Sequence, residues 1–120
     1  MRKKILVVDD EPDVLAIFKK KLDAYGFNTI TAQDGVEGLE QAKKEIPDLI
    51  LLDIIMPKKD GFALLQELRQ EDRTRGIPVV MVSGKSESDS LFQGQHLGAI
   101  DYLIKPVDFQ ELLKFVRKYI

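Results

Sequence analysis

Short apolar runs alternate along the chain with segments in which apolar residues recur at helical spacing. Uninterrupted apolar runs are typical of strands buried on both faces, as in a parallel sheet that helices cover on each side. The second run is partly polar, which favours an edge strand. The five runs are Ile5–Val8, Phe27–Ala32, Leu49–Leu52, Val79–Val82 and Tyr102–Ile104. This pattern predicts one α/β domain over residues 1–120, a doubly wound five-stranded parallel sheet with five helices.

The first two helical segments carry start and stop signals. Pro12 is accepted in a first helical turn, so we expect the first helix to begin there. It should end at Tyr25-Gly26, because glycine adopts a left-handed cap easily. Asp34-Gly35 opens the second helix. The predicted apolar side of that helix is Val36, Leu39, Ala42 and Ile46.

The later helices differ in the strength of their signals. Gly61 leads into the third helix, and Asp108 is expected to cap the fifth. The fourth, roughly residues 86–97, is the weakest, because three serines and Gly94 lower its helix propensity. We expect this fourth helix to be short or mobile.

Composition narrows the classes of function. With 120 residues the chain can bury one core without a disulfide or a structural metal. It has no cysteine, which excludes disulfide frameworks, thiolate zinc sites and cysteine nucleophiles within it. Eighteen Lys and Arg residues against 20 Asp and Glu give a net charge of -2, without the basic excess of a nucleic-acid-binding domain. The first apolar run is too short for a membrane span, and we expect a cytoplasmic protein.

Four of the apolar runs end in residues that can handle a phosphoryl group. The first leads into Asp9-Asp10-Glu11 and the third into Asp53, while the fourth leads into Ser83 and the fifth into Lys105. Parallel strands deliver their carboxyl ends to one edge of a sheet, where ligands bind. The sequence therefore predicts that carboxylates, a hydroxyl and an ammonium group converge there.

Each of these residues has a simpler interpretation when taken alone. The acidic triplet could do no more than cap the first helix, Asp53 could be a loop residue, and Lys105 could pair with one carboxylate. Together they are more specific, since like charges gathered at strand ends require a cation. Mg²⁺ suits carboxylates and phosphate oxygens. Asp53, on the central strand, is the predicted nucleophile for a covalent phosphoryl transfer.

With these motifs the chain resembles the response-regulator receiver domains of two-component signalling, including the chemotaxis regulators. The resemblance covers nearly the whole chain and implies the flavodoxin-like (β/α)5 fold. The matching segments are Ile5–Glu11, Leu51–Pro57 with Asp60-Gly61, Ile77–Gly84 and Gly98–Pro106.

The resemblance implies a role for each site residue. Asp53 is the phosphoacceptor, Asp10 and Asp53 bind Mg²⁺ directly, and Asp9 acts through a metal-bound water; Mn²⁺ is the alternative ion. The backbone carbonyl of Ile55 completes the protein ligands. Ser83 and Lys105 hold phosphoryl oxygens, Tyr102 is the switch aromatic, and Lys105-Pro106 is a cis peptide.

The function implied is a phosphorylation-activated signalling switch. The phosphoryl donor is a sensor histidine kinase or a histidine phosphotransfer protein. The output is a protein target, or a second copy of the chain, bound at the face formed by the predicted fourth helix, the fifth strand and the fifth helix. Such a domain is not a conventional enzyme, although it catalyses its own aspartyl phosphorylation and dephosphorylation.

Other classes of function fit the sequence less well. Aspartate-nucleophile phosphatases resembling haloacid dehalogenases place the nucleophile on the first strand, with a second acid two residues later, where this chain has Glu11. A nucleotide- or flavin-binding module requires a glycine-rich or hydroxyl-rich loop after the first strand, and this chain has no such loop. The tripeptide Gly84-Lys85-Ser86 resembles the end of a P-loop. That motif requires a glycine five residues before Gly84, where this chain has Val79. His96, the single histidine, has no second histidine near it to make a metal site.

Overall fold

The computed structural model describes residues 2–54, 61–83, 99–104 and 107–120, with the backbone alone at Ser83 and Ile104. The strands are β1 (Lys4–Val8), β2 (Asn28–Ala32), β3 (Leu49–Asp53), β4 (Val79–Ser83) and β5 (Asp101–Ile104). The helices are α1 (Pro12–Ala24), α2 (Gly35–Glu45), α3 (Gly61–Gln70) and the C-terminal helix (Phe109–Tyr119). The predicted fourth helix lies outside the described residues.

The five strands form one parallel sheet in the order β2-β1-β3-β4-β5. The predicted parallel sheet is therefore confirmed, with β2 at an edge as its polar residues indicated. Every residue of β3 is buried, which matches its central position. No helix in the described part of the chain is long and apolar enough to cross a lipid bilayer.

Two hydrophobic clusters cover the two faces of the sheet. Alternate residues of one strand point to opposite faces, so Leu6 and Val8 join one cluster while Ile5 and Val7 join the other. The first cluster contains the buried hydrophobic side chains of α2 and α3, and the second those of α1 and the C-terminal helix. The described helices are therefore distributed over both faces, as a doubly wound fold requires.

Several helices begin or end at the capping residues that the sequence predicted. The carboxylates of Asp34 and Asp108 accept hydrogen bonds from the backbone N–H groups of Glu37 and Gln110, and so cap α2 and the C-terminal helix. Pro12 is the first residue of α1. Gly26 follows the end of α1 with a φ of 96°, the left-handed conformation expected there.

The predicted buried face of α2 is wrong at both ends. Val36 is 47% exposed and Ile46 is 40% exposed. The buried residues are the smaller Gly35, Gly38 and Ala42. These let the helix approach the sheet and α3 closely: a Cβ atom added at Gly38 would lie 3.0 Å from Leu64 Cδ2. Ala42 is buried as predicted, whereas a hydropathy pattern ranks glycine low although Gly38 forms this close contact.

Gly61 sets the distance between α3 and the end of β3. Its N–H donates to the carbonyl of Ile54 at 2.8 Å. A methyl group here would overlap the backbone oxygen of Asp53 and lie 2.9 Å from the Cα of Ile54. Both neighbours are backbone atoms, which cannot move aside as a flexible side chain can.

We therefore predict that Gly61→Ala lowers the free energy of unfolding by about 1–3 kcal/mol, the usual cost of overpacking. Gly76→Ala is the matched control, because nothing lies within 4 Å of a Cβ added there. Urea denaturation of both variants would measure the difference. Equal stability of the two variants would contradict the close contact at Gly61.

Candidate functional site

Three carboxylates meet where β1 and β3 end. Val8, the last residue of β1, is paired with Leu52, so Asp9 and Asp53 follow at neighbouring positions of adjacent strands. One ligand oxygen from each of Asp9, Asp10 and Asp53 lies within 4.8 Å of the others. The predicted convergence of these carboxylates is confirmed. Glu11, the third acid of the triplet, is exposed and is not a member of this group.

The backbone holds Asp9 in position. Its N–H donates to the carbonyl of Ala32 on β2 at 3.1 Å, and its Oδ1 accepts the N–H of Glu11 at 2.9 Å. The latter bond is an Asx-type turn, in which a side chain satisfies a backbone donor two residues later. This role of the Glu11 N–H was not predicted from the sequence, although an aspartate just before a helix is the usual signal for such a turn.

Burial makes the carboxylate group costly without a counter-charge. Asp9 is 3% exposed and Asp53 is 5% exposed, whereas Asp10 faces solvent. Moving a carboxylate out of water is unfavourable unless hydrogen bonds or a cation compensate, and neighbouring carboxylates repel each other. Three oxygen donors, one of them open to solvent, fit a hard divalent cation that retains some of its water.

The last two strands lead to the same edge of the sheet. Val82 is paired with Asp53 across β3 and β4, and Ser83 is paired with Ile104 across β4 and β5. The backbone of Ser83 therefore continues β4 beside the end of β3. The side chain of Ser83 and all of Ile55, Lys105 and Pro106 lie outside the described residues, so their roles and the cis peptide stay predictions.

Tyr102 on β5 combines burial with an unsatisfied hydroxyl group. Its side chain packs against the first hydrophobic cluster. Its hydroxyl oxygen is buried, and no hydrogen-bond partner for it is found within the described part of the chain. This burial raises the pKa of the Tyr102 phenol. A buried polar group without a partner generally costs about 1–3 kcal/mol.

The fold and the carboxylate group agree with a comparison of the sequence against family models. The model described as the response regulator receiver domain matches residues 5–117. The chain belongs to this family. Receiver domains are parts of two-component signalling systems, and the acidic group of Asp9, Asp10 and Asp53 is consistent with binding of a metal ion by this member.

Individual relatives show the same similarity over most of the chain. The chain is 42% identical to the PhoP transcriptional regulatory protein of Bacillus subtilis over 112 residues and 40% identical to RpaA of Synechocystis over 114. These alignments cover 93% and 95% of this chain but 46% and 47% of those proteins, so the chain spans about half their length. It is 37% identical to PilH of Pseudomonas aeruginosa, covering 94% of this chain and 93% of PilH.

Solved structures of receiver domains superimpose closely. The chemotaxis protein CheY4 of Vibrio cholerae matches with a TM-score of 0.94 at 28% identity, over 100% of both chains. A putative response regulator from Chloroflexus aurantiacus matches with a TM-score of 0.93 at 31% identity, over 99% of this chain and 98% of that one. The flavodoxin-like arrangement expected from the sequence is thus found in its described parts.

We predict that Asp10→Asn stabilises the protein in the absence of divalent cations and weakens its response to Mg²⁺. Two unit charges 4 Å apart repel by about 1 kcal/mol even in water, so the unfolding free energy should rise by roughly that amount. A ligand that binds only the native state raises stability by an amount that grows with the logarithm of its affinity, so the Mg²⁺-dependent gain should fall. Thermal melting with and without Mg²⁺ measures both effects.

Asp13→Asn is the control, because Asp13 is an exposed acid in the first turn of α1 outside the carboxylate group. An Asp10→Asn variant that keeps the full Mg²⁺ response would remove Asp10 from the site.

Proposed function

We propose that this domain is a phosphorylation-activated switch in which Asp53 accepts a phosphoryl group. A carboxylate oxygen of Asp53 attacks the phosphorus of a phosphohistidine on a partner protein. The new P–O bond forms as the P–N bond breaks, and the imidazole leaves with its electron pair and takes up a proton. The single observation that carries this proposal is that the buried Asp53 carboxylate lies beside Asp9 and Asp10 where β1 and β3 end.

The three carboxylates would also hold the cation. Asp10 and Asp53 would bind Mg²⁺ directly, Asp9 would act through a water, and the backbone carbonyl of Ile55 would complete the protein ligands; Mn²⁺ is the alternative ion. When bound, the ion neutralises the negative charge that carboxylates and phosphoryl oxygens bring together. The turn at Glu11 keeps the Asp9 carboxylate aimed into the group, which reduces the reorganisation needed at the moment of transfer.

Ser83 and Lys105 would bind the phosphoryl oxygens opposite the cation. An ammonium group is a compact charge suited to a phosphate oxygen, and a hydroxyl can donate to another. The strand register supports this assignment for Ser83, because β4 lies next to β3 with Val82 paired to Asp53. The peptide bond between Lys105 and Pro106 would be cis. Phosphorylation and dephosphorylation of Asp53 would be the only reactions that the domain catalyses.

The switch itself would be Tyr102. New oxygens on Asp53 would draw the Ser83 hydroxyl inward, and the Tyr102 ring would move into the space released. Among the described residues no hydrogen bond holds the Tyr102 hydroxyl, which supports this step because no such bond has to break when the ring moves. The surface changed would be that of residues 86–97, β5 and the C-terminal helix.

The partners follow from this arrangement. The donor would be a sensor histidine kinase or a histidine phosphotransfer protein in the cytoplasm. The output would be a protein target, or a second copy of the chain, that binds the changed surface. Two relatives are transcriptional regulators by name, about twice the length of this chain, so nucleic-acid binding would belong to other parts of such proteins. PilH, similar over nearly its whole length, offers the alternative of a receiver that acts alone.

We predict that acetyl phosphate with Mg²⁺ adds one phosphoryl group to the wild-type chain and none to Asp53→Asn, because the amide is not a nucleophile. Intact mass and peptide mapping measure the adduct and its position. Asp13→Asn is the control for loss of an exposed acid close to the site. The same mass gain in Asp53→Asn would show that another residue is the acceptor.

We also predict that beryllofluoride, a phosphoryl mimic, changes amide exchange mainly within residues 83–108. Switching elements come from the less stable parts of a fold, and a ligand shifts them only by its differential affinity for two states. Lys105→Ala should bind the mimic but lose the change, whereas Lys114→Ala, an exposed lysine of the C-terminal helix, should keep it. Changes confined to α1 and α2 would contradict the proposed output surface.

A further inference from the structure

The outer edge of β2 carries backbone groups that none of the five described strands pairs. In a strand the N–H and C=O of one residue point to the same side, and successive residues alternate. The N–H of Asn28 donates to Lys3 on the β1 side, and the C=O of Ala32 accepts from Asp9 on that side. Thr29 and Thr31 therefore direct their backbone groups away from the sheet, where such an edge can template another chain.

Side chains of α1 and α2 form hydrogen bonds with the backbone groups of Thr29 and Gln33, on the two sides of Thr31. The N–H of Thr29 donates to Asp23 Oδ1 at 3.3 Å, and its C=O accepts from Lys19 Nζ at 3.1 Å. Lys19 and Asp23 also pair with each other at 3.0 Å. Beyond Thr31, the N–H of Gln33 donates to Glu37 Oε2 at 3.1 Å. Of the outward groups from Thr29 to Thr31, those of Thr31 alone have no partner in the described part of the chain.

The position of Asp23 is unfavourable for its own helix. It is the last residue but one of α1, where the negative end of the helix dipole disfavours an acidic side chain. Burial raises its pKa, but the hydrogen bonds from Thr29 and Lys19 outweigh this and hold the pKa of Asp23 below its usual value. The Asp23 carboxylate is therefore stabilised at this position by its contacts with β2 and Lys19, and not by the dipole of its own helix.

We propose that Lys19, Asp23 and Glu37 protect the edge of β2 against strand addition by β2 of a second copy of this chain, which would pair there if these side chains were removed. An antiparallel pair centred on Thr31 of both copies places Thr29 of each opposite Gln33 of the other. Such a pair is self-complementary about a two-fold axis. It uses the outward groups of Thr29 and Thr31 and the backbone of Gln33, and helix side chains already bind both groups of Thr29 and the N–H of Gln33.

With the side chains in place, the two copies can exchange only the two hydrogen bonds of Thr31. Two bonds cannot offset the translational and rotational freedom that association removes. The closed edge therefore prevents pairing through β2 and leaves other faces for partners. This inference does not depend on phosphorylation of Asp53.

The test is the oligomeric state of a variant that opens the edge, Lys19→Ala with Asp23→Ala and Glu37→Ala. The matched control is Lys20→Ala with Asp13→Ala and Glu40→Ala, which removes the same charges from exposed positions on the same two helices. Sedimentation equilibrium should show self-association at least about tenfold stronger than in wild type or control. Adding Thr31→Pro to the open variant should restore the monomer, because proline removes the central donor and is tolerated at a sheet edge.

An open variant as monomeric as wild type would overturn the proposal, as would equal association of the control or association that survives Thr31→Pro. Circular dichroism checks that each variant is folded. Amide exchange in the wild-type protein gives a second readout that needs no variant. The amides of Thr29 and Gln33 should exchange more slowly than that of Thr31, and equal exchange at the three positions would overturn the proposed closure.

Discussion

Repulsion among carboxylates at one end of the sheet is the constraint on which the rest of the site depends. A parallel arrangement of β1 and β3 brings Asp9 and Asp53 to adjacent strand ends, and burial removes most of the water that would screen them. The apolar strands resist any separation, because both faces of the sheet are covered by packed clusters. The fold thus stabilises an arrangement that its charges oppose, and a cation bound among the three carboxylates would relieve this repulsion.

The positions of the strands, and the location of β2 at an edge of the sheet, could be predicted from the sequence because the signals are local and redundant. Each run such as Leu49–Leu52 is apolar throughout, and β2 is distinguished by its polar residues. The orientation of α2 could not be predicted in the same way. Its position depends on how closely Gly38 approaches Val8 and Leu64, a contact between distant segments that residue hydropathy does not record.

The site shows the same division between local and long-range information. The convergence of Asp9, Asp10 and Asp53 follows from strand ends in a parallel sheet, so the sequence was sufficient. The closure of the β2 edge was not foreseeable, because Asp23 and Lys19 have the ordinary spacing of an exposed ion pair on a helix. Only the packing of α1 beside β2 brings that pair within hydrogen-bond distance of Thr29.

The anchoring of β5 limits what a switch at Tyr102 can do. The Asp101 carboxylate accepts the N–H of Tyr102 at 2.8 Å and the hydroxyl of Tyr119 at 2.7 Å, which ties the start of β5 to the last turn of the C-terminal helix. The hydrogen bond from Tyr119 to Asp101 also raises the pKa of the Tyr119 phenol. The backbone at Tyr102 is thus held on two sides while its hydroxyl is held by none of the described residues. A switch at this residue would therefore act by rotation of the side chain, which would alter the surface without displacing the strand that supports the site.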